Sequence, residues 1–150
     1  MPVIANPKKV KGTDILQLET AMGFGIDKFS NAVGLVVPRS RYLPVKKTSD
    51  LFLMQSDLFI MKEGRLIRNP ERLFSELPEI QFESRLARLS DYKEKIPQMP
   101  SIVNLKSLRI EGDVRFDKGI VMKGSVALKS KSFPLTVAAN TVLDNEEIIK

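Results

Sequence analysis

The stretch Ile110–Phe116 recurs twelve residues later as Met122–Leu128: Gly112 answers Gly124, Val114 answers Val126, and Phe116 answers Leu128. The run LKSLRIEGDVRF, residues 105–116, alternates apolar and polar residues, as half-buried strands do. FPLTVAANTVL, residues 133–143, continues in the same style. Strand-like rungs at a multiple of six residues predict a β-helix coil, in which each turn buries the faces of its neighbours. A plain β-meander gives the same alternation, and two matched units do not separate the two.

The first hundred residues have no such period. Val3 and Ile4 before Asn6-Pro7 and Gly12 read as a short strand and a turn. Ile15, Leu18, Met22, Ile26 and Phe29 recur at spacings of three and four, which predicts a helix over 14–30. Asp14 and Gln17 have capping-box spacing, while Gly23 and Gly25 weaken that helix by up to about 1 kcal/mol each. AVGLVVP, residues 32–38, suits a buried strand, and residues 38–47 form a loop bracketed by Pro38 and Pro44. Thr48 or Ser49 is placed to cap a second helix with Leu51, Phe52, Met54, Leu58 and Phe59 as its apolar positions. Residues 61–100 carry Pro70, Pro78, Pro97 and Pro100 and read as a charged connecting arm with a short helical piece over Arg85–Tyr92.

Cysteine and histidine are both absent, so disulfides, thiolate nucleophiles, Ser-His-Asp catalysis and histidine-ligated zinc are excluded. The net charge of +6 permits an anionic partner without naming one. No apolar run approaches the roughly 20 residues of a membrane helix, and the N-terminus lacks the core of a signal peptide. A cytoplasmic protein with no membrane partner is the expectation.

The densest chemistry lies in VVPRSRYLPVKKTSD, residues 36–50, where Arg39, Arg41, Lys46 and Lys47 fall within nine positions beside Pro38 and Pro44. Prolines restrict the backbone, and a stiff loop holds a charge in one place. Lysine offers a compact positive charge and arginine a planar fork, both suited to phosphate. A solvated basic loop that pairs with nearby acids would look the same. Single-stranded nucleic acid needs more aromatic surface than Tyr42 alone supplies, so no nucleic-acid partner is expected.

QLETAMG (17–23), NAVGLVVPRSRYLPVKKTSDLFLMQSDLF (31–59) and SIVNLKSLRIEGDVRF (101–116) together resemble the C-terminal part of eukaryotic UDP-glucose pyrophosphorylases, as does NPK at 6–8. The resemblance implies an α/β fold: the C-terminal piece of a Rossmann-like nucleotidyltransferase domain over 1–60, a connecting arm over 61–100, and a short left-handed β-helix over 101–150 that serves homo-oligomerisation. It implies the substrates UTP and glucose 1-phosphate, the product UDP-glucose, and Mg²⁺ as cofactor. The family's phosphate-contacting lysine falls on Lys46, and Arg39 and Arg41 would support its loop. The family's glycine-rich nucleotide loop has no counterpart, because the eight glycines are scattered and no two are adjacent. Nor does its metal-holding aspartate, so no metal ligand is assigned here. The chain is therefore expected to be a segment inactive by itself; the alternative is a non-catalytic paralogue that acts in oligomerisation.

Overall fold

The computed structural model describes residues 2–150. The chain divides into two compact units, Met1–Tyr42 and Leu43–Lys150.

In the first unit, β1 (Ile4–Val10) and β2 (Thr13–Glu19) form an antiparallel hairpin in which Val10 faces Thr13. Lys11 and Gly12 close it with φ of 51° and 85°, the two positive values of a type I′ turn. The helix expected over 14–30 is not formed. Its first half is β2, and its second half is a 3₁₀ turn over Met22–Lys28. The turn at Gly12 sends the chain back along β1, where every residue from Thr13 to Glu19 finds a ladder partner. Leu16 and Leu18 then share one face, a period-two reading that competes with the helical one. The buried strand expected at 32–38 is absent as well: that segment is irregular, and Val36 is 96% exposed. No described residue of this unit is buried.

The second unit holds the core. Helix α1 (Thr48–Gln55) sits where the sequence places it, but ends before Leu58 and Phe59. The Ser56 hydroxyl donates to the Leu53 carbonyl at 2.7 Å, and the hairpin β3 (Phe59–Lys62) and β4 (Arg65–Arg68) follows. Then come β5 (Glu79–Phe82), a 3₁₀ turn over Ser84–Ala87, and α2 (Leu89–Lys95), the last two on the predicted helical piece. Six short strands complete the chain: β6 (Leu105–Glu111), β7 (Val114–Phe116), β8 (Val121–Lys129), β9 (Leu135–Val137), β10 (Val142–Asp144) and β11 (Glu147–Ile149).

These strands pair in parallel. One sheet runs β10-β8-β6-β5, with β11 also on β8, and β7 pairs β9. Parallel pairing rules out a meander. The register steps by 18 residues from Leu108 to Val126 and by 21 from Met122 to Leu143. The chain thus returns beside itself after a longer interval than the twelve-residue recurrence in the sequence. Leu108, Ile110, Val114, Phe116, Met122, Val126, Leu128 and Leu143 point inward in alternation with exposed residues, as the period-two pattern requires.

Residues 61–100 contribute to this core. Leu86, Tyr92 and Ile96 are buried in it, and β5 hydrogen-bonds to β6. The Arg72 guanidinium donates to the carbonyls of Val103 at 2.7 Å and Leu105 at 3.1 Å, satisfying a half-buried cation with backbone acceptors.

Candidate functional site

Helix α1 positions the lysine end of the basic loop, Lys46 and Lys47. Phe52 is fully buried and meets Phe82 of β5 edge-on. The Tyr92 hydroxyl of α2 donates to Gln55 Oε1 at 2.8 Å. Just beyond the helix, the Asp57 carboxylate accepts the Ile102 backbone N–H at 2.8 Å. The helix is therefore fixed on two sides, against α2 and against the start of the strand stack.

At its N-terminus the cap is neither Thr48 nor Ser49. Asp50, in the third helical position, turns its carboxylate back, and Oδ2 accepts the backbone N–H of Lys46 at 2.8 Å and of Lys47 at 2.9 Å. The Lys47 carbonyl in turn accepts the N–H groups of Asp50 and Leu51, both at 3.1 Å. Lysine has no acceptor, so the reciprocal half of a capping box cannot form. An acid three residues after the loop's last lysine was the sequence signal for this cap.

Lys46 is exposed, and among the described residues no carboxylate lies within ion-pairing distance of its ammonium group. It lines an open hollow of about 310 Å³ with Val45, Lys47, Thr48, Leu51, Ala87 and Leu89. The two lysines give that hollow two positive charges against the single negative charge of Asp50, a balance that favours an anion. Arg39 and Arg41 lie in the first unit, on a 3₁₀ turn, both exposed. The Arg39 guanidinium stands 4.4 Å from the centroid of the Tyr42 ring, a cation–π contact that holds the turn.

A larger hollow, about 790 Å³, is lined by Arg85, Arg88, Asp91, Glu94, Lys95 and Asp113. Asp113 is bound there by Lys95 and by Arg85 at 2.6 Å. The hydrogen bond from Lys95, with the two nearby cations, outweighs burial and holds its carboxyl below the usual carboxylate range. The ion pairs of Arg85 and Lys95 with Asp113 tie α2 to the strand stack. Sequence reasoning did not find it, since its members lie on separate elements.

Among the described residues no group of three or more Asp or Glu side chains is arranged to hold a metal. Near Lys46, the one carboxylate oxygen in use among the described residues, Asp50 Oδ2, is committed to two backbone amides, a donor set that does not fit Mg²⁺. No helix among the described residues is long and apolar enough to cross a membrane.

Comparison with known proteins gives this geometry a context. The chain is 44% identical over 149 residues to the UTP–glucose-1-phosphate uridylyltransferase of Hordeum vulgare, an alignment covering 99% of this chain and 32% of that protein. Its structure resembles the UDP-glucose phosphorylase of Trypanosoma brucei with a TM-score of 0.76 and 32% identity, over 99% of this chain and 34% of the other. It also resembles a substituted UDP-glucose pyrophosphorylase of Leishmania major in complex with UDP-glucose, with a TM-score of 0.76 and 28% identity, over 99% and 33%. The chain thus spans about a third of the length of these relatives. A sequence model of one family matches residues 1–123, the whole basic loop and the first strands of the stack included. With that match, the chain belongs to the UTP–glucose-1-phosphate uridylyltransferase family.

Proposed function

We propose that this chain is the segment of a UTP–glucose-1-phosphate uridylyltransferase that supplies a phosphate-contacting lysine, Lys46, and a stack of strands behind it. In the reaction, a phosphate oxygen of glucose 1-phosphate bonds to the α-phosphorus of UTP. The bond from that phosphorus to the bridging oxygen of pyrophosphate breaks, leaving UDP-glucose and pyrophosphate. Negative charge gathers on the oxygens around the α-phosphorus and on the leaving group. A fixed ammonium group beside them stabilises the transition state more than the separated reactants. Such displacements depend on positioning and electrostatics and need no covalent intermediate, so a chain without histidine or cysteine is no obstacle.

The observation that carries this reading is the Lys46 ammonium: exposed, unpaired among the described residues, and borne on a backbone held from behind by Asp50. Arg39 and Arg41 are assigned to loop support, with no contact to substrate. The finer fold description belongs to the same proposal. Parallel strands with register steps of 18 to 21 residues support a β-helix over 101–150, left-handed as the family resemblance implies, through which copies associate. Residues 1–60 are then the C-terminal piece of a Rossmann-like nucleotidyltransferase domain. Mg²⁺ is a cofactor of the whole enzyme that this chain's residues do not hold.

The test uses an active enzyme carrying this chain, made by exchanging it for the matching third of the Hordeum relative. Lys46→Ala should lower the rate of UDP-glucose synthesis by about 100-fold or more, as loss of a fixed transition-state charge does. A near-normal rate removes Lys46 from the site. By itself the 150-residue chain should release no pyrophosphate from UTP and glucose 1-phosphate, since it has no glycine-rich loop to cradle a nucleotide.

A further inference from the structure

Lys46 is aimed by a neighbour that the sequence reading left unassigned. The Asp50 carboxylate sits four residues from Lys46 and makes no ion pair with its ammonium group. One oxygen, Oδ2, takes both backbone N–H groups, of Lys46 at 2.8 Å and of Lys47 at 2.9 Å. Two donors on one atom fix two successive peptide planes. The Lys46 side chain leaves from between those planes, so its starting direction is fixed too. Asp50 is itself held, because its own N–H donates to the Lys47 carbonyl at 3.1 Å and the next helical positions carry the buried Phe52. An ion pair to Lys46 would neutralise the charge that the proposed reaction needs. A bond to its backbone fixes the residue and leaves that charge available.

We propose that Asp50 is a positioning residue for Lys46: its carboxylate fixes the backbone from which the Lys46 ammonium reaches the phosphates, without touching substrate itself. The inference rests on Lys46 acting at the phosphates. Charge on Asp50 is not what positioning requires, since any side-chain oxygen in that place accepts the two N–H groups. A displacement of about 1 Å at a reacting group costs as much as about 100-fold in rate, so loss of the anchor should be felt in kcat.

The experiment is a double-mutant cycle in the active exchanged enzyme, with Asp50→Ala, Asp50→Asn, Lys46→Ala and the double alanine variant. Asp50→Ala should lower kcat at least about tenfold with KM changed little, and Asp50→Asn should keep most of the activity through its amide oxygen. In the Lys46→Ala background Asp50→Ala should have almost no further effect, because a residue acting only through Lys46 has nothing left to position. Equal losses for Asn and Ala, or full additivity of the two alanine variants, overturn the proposal. A silent Lys46→Ala instead overturns the functional reading beneath it. A second measurement needs no activity: amide hydrogen exchange in the 150-residue chain should speed up at Lys46 and Lys47 in Asp50→Ala while the Phe52 amide stays protected. Exchange at both lysines unchanged from the parent also overturns the proposal.

Discussion

Phe52 meets Phe82 with ring centroids 5.3 Å apart and planes at 78°, the edge-to-face arrangement that joins the helix behind the basic loop to the first strand of the parallel sheet. Phe82 continues towards Tyr92 of α2, whose ring centroid lies 6.5 Å away. Three aromatic rings from three elements thus set where α1 starts, and so where the Lys46 loop leaves it. Phe52→Ala removes a fully buried ring and should destabilise the second unit by about 3–5 kcal/mol. Urea unfolding measured beside the parent chain checks this, and a loss under about 1 kcal/mol would show that α1 is not anchored as described.

The corners of the strand stack make a separate prediction. Gly112 has φ of 79°, and a Cβ there would stand 2.1 Å from the Ser130 backbone oxygen. Gly124 has φ of 60°, and its Cβ would stand 2.1 Å from Asn145 Oδ1, which accepts the Ser125 N–H at 3.0 Å. Backbone at Ser130 cannot step aside, whereas the Asn145 side chain can rotate and lose its bond. Gly112→Ala should therefore cost more stability than Gly124→Ala, with both losing at least about 1 kcal/mol from strain. Thermal unfolding of the two variants gives the order directly.

Acid should find Asp113. Its carboxyl titrates below the usual value of 3.8 in the folded chain, chiefly because Lys95 donates to it. The contribution is complete above the unfolded value and disappears as pH falls through the folded one. In Asp113→Asn the parent's loss of stability below about pH 4 should be shallower. Denaturant midpoints taken from pH 5 to pH 2 test it, and parallel curves for the two proteins would contradict the assignment.

Tyr92 makes the alkaline counterpart. Burial pushes its hydroxyl up to about 12 from 10.0. A raised folded value means that its contribution is complete below pH 10 and is lost as pH rises through about 12. Tyr92→Phe should cost about 1 kcal/mol at neutral pH, the net worth of the bond to Gln55. Its stability should also fall less steeply above pH 10 than the parent's, as followed by tyrosine absorbance and unfolding together.

What the sequence disclosed depended on how local the deciding contacts were. The inward positions of the strand stack follow from alternation alone, and Gly112 and Gly124 marked two of its corners through their recurrence. Helix α1 was legible because Phe52 anchors its apolar side, whereas Lys46 was singled out by the resemblance of its loop, and its role at the phosphates is a proposal. Of the hairpin at 4–19 only the first strand and the turn at Gly12 were legible: Ile15, Leu18 and Met22 fit a helical spacing, and the outcome turned on the two-residue turn at Lys11-Gly12. Asp50 went unnoticed because Thr48 and Ser49 offered the commoner capping side chains, while the structure uses the acid one position later. The Arg85–Asp113–Lys95 cluster joins residues up to 28 positions apart, which no local pattern reveals.

The most direct measurement is made on the exchanged enzyme, with this chain replacing the matching third of the Hordeum uridylyltransferase. UDP-glucose and pyrophosphate are supplied, and UTP formation is followed in the parent exchange and in its Lys46→Ala form. The account predicts clear turnover in the first and a loss of about 100-fold or more in the second. A folded exchange that turns over equally well with alanine at position 46 would contradict it.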